Sequence, residues 1–517
     1  MACLLLHTHM PYVRRNGDWP CGEQWILEAW AECYLPVWEL VDDLAGGRAR
    51  GKLALTLTPI LAEQLRDTYL ESRFQGYLLN RIRQAEEEIA RLEGMGDRTR
   101  ADLARFYRNE LRGLLRKFEE RFRGRMVETL ARAMDSGKVE VLASAATHAH
   151  LPSLRSHPFR RAQVAVGIEE YRRLFHREPA GFWLPECAYT PELDRVLAEF
   201  SPPLRYVVLD HSAARDTSLP RRLGDTPLVA LLRDGETHRW VWTETGIPSR
   251  GPYREYCKRD HQGHGFQYWK VTSLDTPLDL KEIYRPEEAV EQAERDAREF
   301  AGRVMERLEC ILRSPEGNGE SAMDGYSRGI RCLLAAYDTE LMGHWWWEGP
   351  HWLREVLSLL EGHLELPARV AAGAPVHTLE SLSPGETSWA PEGDFSPWIN
   401  PRTAWMWETL HRAQERFVRA LSGRGRKVGS PDLERRALAQ AGRELLLLQS
   451  SDWPYMVSRD SAAGYSEERF CAHAERFHRL LDLLEEGDNR GLEEVLPRLE
   501  LLDNPFPFLG LQFWEID

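Results

Sequence analysis

The chain has 517 residues, 43% of them hydrophobic, so it can bury a sizeable core, and its length predicts two or three domains or one large barrel with additions. Formal net charge is −14, from 81 acidic against 67 basic residues, and no Lys/Arg-rich block tracks a phosphate backbone, which argues against nucleic acid as a partner. The start MACLLLHTHM lacks a basic n-region, no stretch approaches the roughly 20 apolar residues of a membrane span, and eight scattered cysteines lack C-x-x-C spacing, so a cytoplasmic protein without a membrane partner is expected.

Short apolar runs alternate with long charged amphipathic stretches, the pattern of strands alternating with helices around a parallel sheet. Strands are predicted at 2–6, 53–57, 139–143, 181–184, 206–209 and 332–336. Residues 68–135 are nearly all charged helix, interrupted between Gly94 and Asp97, and read as a helical hairpin inserted between strands. Residues 213–265 lose the helical period and gain Pro, Gly and Arg (SLPRRLGDTP, ETGIPSRGPYRE), which predicts a loop-rich insert near the active site. A helix is predicted over 287–312, where Val290, Ala293, Ala297, Phe300, Val304, Leu308 and Ile311 recur every three or four residues behind Pro286. After about 385 the chain turns helical: 403–421, a Gly/Arg loop (SGRGRKVGS), then a helix with Ser430 as N-cap and Pro431 at its first position.

In a parallel α/β barrel, functional residues stand where strands end and loops begin. Five polar clusters obey that rule: His7-Thr8-His9, Thr147-His148, Glu186, Asp210-His211 and Asp338. Glu186 is framed by apolar neighbours in GFWLPECAY, and Asp338 lies in the Trp-rich LLAAYDTELMGHWWWEGP. Two carboxylates in an aromatic pocket are the minimum for glycoside chemistry: one attacks the anomeric carbon, the other protonates the leaving oxygen. Eighteen tryptophans, many beside Gly, Pro, Asp or Glu, supply flat rings for sugar faces as well as core packing. His7, His9, His148, Asp210 and His211 admit a rival reading, in which an H-x-H pair with another His and an Asp holds zinc in a metal-dependent polysaccharide deacetylase. In the sugar-binding reading these imidazoles bond hydroxyls, and one or two of them can be core histidines.

The segments HTHMPYVRR, AATHAHLP, GFWLPECAY, RYVVLDH, AAYDTELMGHWWWEGP, GDFSPWIN and LLLLQSSDWPYM follow one another as in glycoside hydrolase family 57. The chain resembles that family nearly end to end, and within it the 1,4-α-glucan branching enzymes. The resemblance implies an α/β fold: a distorted (β/α)7 barrel with a small inserted domain and a C-terminal α-helical domain. The expected division is 1–190 for the first part of the barrel, 191–265 for the insert, 266–385 for the second part and 386–517 for the helical domain. It also implies a retaining mechanism without metal or other cofactor, with Glu186 as nucleophile and Asp338 as general acid/base. Its sugar-contacting positions fall on His7, His9, Trp25, His148, Arg259, Trp269, Trp389, Trp398, Asp452 and Trp453. The implied partner is an α-glucan polysaccharide of the amylose, glycogen or starch type, acted on by a monomer or small homo-oligomer.

Four positions depart from the family pattern. Where a mobile loop over the cleft usually carries Gly-Tyr-Pro-Gly, this chain has Gly246-Ile247-Pro248-Ser249, putting Ile247 at the tip. Ser212 replaces a histidine, with His211 one place early; Ser461 replaces a glutamine; Ser273 follows Thr272 where glycine is common. The Ile247 tip favours an alternative, an α-amylase-type hydrolase or a 4-α-glucanotransferase of the same family. A non-catalytic α-glucan-binding protein is the further alternative, and the intact Glu186/Asp338 pair argues against it.

Overall fold

The computed structural model describes residues 1–313, 330–423 and 431–514. Ser430 and most of the Gly/Arg loop before it lie outside the described residues.

Strands form where the apolar runs predicted them: β1 (Ala2–Thr8), β2 (Leu53–Leu57), β3 (Val139–Ser144), β4 (Gly181–Trp183), β5 (Tyr206–Leu209) and, after two further strands, β8 (Leu333–Asp338). Every residue of β1 to β5 is buried, the burial expected of parallel strands covered on both faces. Two further strands arise inside 213–265: β6 (Arg221–Leu223) and β7 (Val229–Leu232), with a helix at Gly235–Val241. A two-residue strand, β9 (Ser381–Leu382), completes the set among the described residues.

The sheet order is β8-β1-β2-β3-β4-β5-β7-β6-β9. The run from β8 to β7 is parallel throughout, and Arg233, just past β7, bridges in parallel to Leu334 of β8. The Asp234 amide donates to the Leu334 carbonyl at 2.7 Å. That junction closes seven strands into a distorted (β/α)7 barrel. β6 pairs antiparallel with β7 and carries β9 outside the ring. Two barrel strands, β5 and β7, therefore lie within 191–265, and the irregular stretch runs from the end of helix Gly235–Val241 to Pro286.

The charged segment after β2 forms the hairpin Thr68–Gly94 and Arg98–Arg116, each helix capped by an aspartate: Leu70 N–H donates to Asp67 Oδ1 and Arg100 N–H to Asp97 Oδ1, both at 3.0 Å. Phe74 of this hairpin stacks on Trp30 at 4.7 Å, anchoring it to the barrel. Helix Pro286–Arg313 buries Ala289, Ala293, Ala297, Phe300, Val304, Leu308 and Ile311; Val290 stands outside that stripe, 37% exposed. Helices Ala404–Leu421, Pro431–Leu448, Asp452–Arg459, Ala463–Glu486 and Asn489–Leu502 build the C-terminal helical region. It is stitched to the barrel where Ala149 bridges Ser450 and the Ser451 amide donates to the His148 carbonyl at 3.0 Å.

Candidate active site

The polar residues at the C-terminal ends of the strands converge. Glu186 follows β4 in a short 3-10 turn with φ 63, and His148, after β3, has φ 56. Left-handed backbone at two non-glycine residues is costly and is characteristic of positions that tertiary structure holds for function. Trp389 holds Glu186 twice: its amide donates to the Glu186 carbonyl at 3.0 Å and its indole N–H to Oε2 at 2.8 Å. Ser451 Oγ donates to the other carboxylate oxygen, Oε1, at 2.8 Å.

Behind Ser451 stand the histidines. His148 Nδ1 meets Ser451 Oγ at 2.9 Å, His148 Nε2 meets His7 Nε2 at 2.9 Å, and His7 Nδ1 meets Thr56 Oγ1 at 2.6 Å. His9 lies face to face with His148 at 3.8 Å, with Nδ1 3.0 Å from Thr58 Oγ1 and Nε2 2.9 Å from Asp452 Oδ2. Burial, followed by the neighbouring imidazoles, lowers the pKa of His7 and of His148, so both rings are neutral.

Burial pushes Glu186 up to about 7, the Asp452 charge adding to it, while Ser451, Trp389 and Trp398 pull the other way. Burial and the Glu186 charge likewise push Asp338 up to about 7, against His9 and Arg233. Among the described residues no donor meets the Asp338 carboxylate. Glu186 has two, and donors of that kind favour the charged form of the carboxyl that holds them. Next along the chain, Glu340 is raised to about 8 by burial and the Asp338 charge, and it accepts from the Tyr34 hydroxyl at 2.6 Å.

Asp210 and His211 stand apart from the histidine cluster. Asp210 is buried and accepts from Arg233 Nε; His211 Nδ1 lies 3.1 Å from it, and the Ser212 amide donates to it at 2.9 Å. Burial alone would raise Asp210, but the His211 hydrogen bond and Arg233 charge hold it well below the carboxylate range. Arg233 also stacks its guanidinium over Trp389, 5.7 Å from the ring centroid. Among the described residues two donor sets could hold a cation, His9, His148 and Asp452 here and Glu444, His473 and Asp503 in the helical region, the ligating atoms of each within 4.8 Å of one another; Asp210 and His211 join neither.

The remaining sugar-binding candidates divide. Trp389 and Asp452 belong to the cluster. Trp398, 1% exposed, stacks on His150 at 5.0 Å, so its ring is closed off from solvent. Trp453 is fully buried, its indole N–H donating to the Leu447 carbonyl at 2.8 Å, so its ring forms floor beneath Asp452. Trp25 is half-buried, edge-on to Tyr465 at 5.1 Å. Arg259 and Trp269 belong to the 242–285 stretch: Arg259 lies 4.0 Å from Glu28 in a cavity with Tyr77, Tyr107 and Trp347, and Lys258 covers Trp269 at 4.3 Å. Ile247 opens a 3-10 turn, Ile247–Ser249, and is only 3% exposed, so its apolar side chain packs into the core instead of standing over the cleft.

Sequence reasoning passed over Ser451, Thr56, Thr58, Arg233, Tyr34 and Glu340. Arg233 obeys the strand-end rule, directly after the VALL of β7. Its strand was hidden among turn residues.

Comparison with known proteins shows what the chain as a whole is similar to. Residues 3–256 match the model of glycosyl hydrolase family 57, and residues 409–514 match that of the 1,4-alpha-glucan branching enzyme C-terminal region. A 1,4-alpha-glucan branching enzyme of Thermococcus kodakarensis is 34% identical, covering 97% of this chain and 76% of that protein. The crystal structure of a branching enzyme of this family type from Pyrococcus horikoshii superposes with a TM-score of 0.88 at 32% identity, over 100% of this chain and 97% of that one. An α-amylase from Thermotoga maritima superposes with a TM-score of 0.83 at 26% identity, over 100% and 99%.

Proposed function

The chain belongs to glycoside hydrolase family 57, and we propose that it is a 1,4-α-glucan branching enzyme acting through Glu186 and Asp338. The observation that carries this is the different setting of two carboxylates that both titrate near neutrality. Glu186 is held by one donor on each oxygen, whereas Asp338 sits in the field of Glu186 without one among the described residues.

Asp338 delivers its proton to the glycosidic oxygen of an α-1,4 bond as the ionised Glu186 attacks the anomeric carbon. The C–O bond breaks, the cleaved chain leaves as an alcohol, and the retained chain is an ester of Glu186. The 6-hydroxyl of an acceptor glucan then gives its proton to Asp338 and attacks the same carbon, so Glu186 departs as a carboxylate. An α-1,6 branch forms, and two inversions restore the α configuration. Transfer exceeds hydrolysis to the extent that acceptor rather than water fills the site. Asp452 and Trp389, both only partly buried, offer a carboxylate to sugar hydroxyls and an apolar face to a sugar ring, while the ring nitrogens of His7, His9 and His148 are engaged within the protein. His9 and His148 spend their nitrogens on Thr58, Asp452, His7 and Ser451, so EDTA is expected to leave the rate unchanged.

Incubation with amylose tests the reading: new α-1,6 linkages by proton NMR with few reducing ends support branching, and reducing ends alone overturn it. The second reading, α-amylase-type hydrolysis, draws on the full-length similarity to the Thermotoga maritima α-amylase and on Ile247 being withdrawn from the cleft. The eight scattered cysteines support a reducing, cytoplasmic setting. Among the described residues no helix is long and apolar enough to cross a membrane.

A further inference from the structure

Five side chains form one continuous hydrogen-bonded line from β2 to the nucleophile: Thr56, His7, His148, Ser451 and Glu186. The direction of the hydrogens along it can be deduced. When Glu186 is ionised its Oε1 can only accept, so Ser451 donates to it. The Ser451 oxygen then accepts from His148 Nδ1–H, which leaves Nε2 of that neutral ring bare. The bare nitrogen accepts from His7 Nε2–H, and His7 Nδ1 in turn accepts from the Thr56 hydroxyl. At the far end the Thr8 amide donates to Thr56 Oγ1 at 3.2 Å, freeing the Thr56 proton for His7. Every group is satisfied, and both imidazole tautomers are set by one charge.

We propose that Ser451 is a positioning residue for the nucleophile, its hydroxyl aimed by the His7–His148 pair so that it and Trp389 fix the two oxygens of Glu186 for attack. The proposal rests on the reading of Glu186 as nucleophile. Ser451 is fully buried and its backbone is tied to the His148 carbonyl, so the hydroxyl has little choice of orientation. If Glu186 takes up its proton on Oε1 the whole line reverses, with Glu186 donating to Ser451 and His7 Nδ1–H donating to Thr56, and the tautomers of two histidines change with it; a proton on Oε2 leaves Oε1 accepting from Ser451. His148 Nδ1 itself stands 3.7 Å from Glu186 Oε1, too far to replace the serine. The helical region thus supplies a working part of the barrel's active site.

The test compares the full-length protein with Ser451→Ala and Ser451→Thr. Asp338, Asp452, Tyr455 and His148 all face Glu186 and all remain in both variants. The hydroxyl stabilises the ionised nucleophile, so its loss is expected to move the acidic limb of the kcat/KM profile on amylose to higher pH. At neutral pH kcat should fall roughly 10- to 100-fold with KM little changed, and Ser451→Thr should restore the limb. Loss of rate equal at all pH values, or a limb that stays in place, overturns the proposal. An infrared titration of the Glu186 carboxyl, identified by its disappearance in Glu186→Gln, reads the same shift without glucan. A shift there with no amylose turnover in the wild type would overturn the branching reading while upholding the Ser451–Glu186 contact. Should Ser451→Ala lose its thermal unfolding transition, Ser451→Cys, a weaker donor of similar volume, decides the titration the same way.

Discussion

Glu186 and Asp338, the proposed catalytic pair, differ in their hydrogen-bonded setting although burial acts on both in the same direction. Both carboxyls are raised to about 7, first by burial, and the sign of the linkage to stability follows. A carboxyl whose folded pKa exceeds its unfolded value of 3.8 lends stability at low pH and loses it as pH rises through about 7. Asp338→Asn removes that ionisation, so at about pH 8 the variant should melt above the wild type while inactive, the gap closing below about pH 4. Differential scanning calorimetry at the two pH values checks this. The tryptophans separate in the same way. Trp453→Ala opens a cavity in a fully buried position and should cost about 3–5 kcal/mol of stability by urea unfolding. Trp389→Phe should leave stability nearly unchanged and lower kcat about 10-fold or more, because it removes one donor from the nucleophile.

At the scale of elements, the inserted hairpin stands on its caps. Asp67 accepts from the Leu70 amide and also pairs with Arg14 at 2.8 Å, joining hairpin to barrel loop. Asp67→Ala should lose about 1–2 kcal/mol by thermal unfolding with kcat intact. Elements were legible where one rule governed them. The apolar runs of β1 to β5 and β8 declared themselves because parallel strands are apolar on both faces, and helix 287–312 because its stripe repeats. β6 and β7 were not legible: they are short and lie among Pro, Gly and Arg, so composition spoke for loop while tertiary pairing made strand. Val290 was misplaced by one position, Ala289 taking the buried face. In the site, strand-end positions were readable, whereas Ser451 was not, because its role depends on helical and barrel loops meeting in space. Nor was the burial of Ile247, which no local spacing announces.

At the scale of the whole molecule, neighbouring barrel strands are held by ladders of two to six residue pairs, but β7 and β8 meet through the single bridge at Arg233 and Leu334. A cylinder with one thin join is a split ring. Heat should part it there first, and because Arg233 also neutralises Asp210 and covers Trp389, parting the join dismantles the wall beside the nucleophile. Activity should therefore fade at temperatures where the rest of the barrel still holds. Amide exchange at Asp234 should run ahead of that at Leu5, in step with the loss of turnover. The enzyme's working ceiling is then set by one seam rather than by its core.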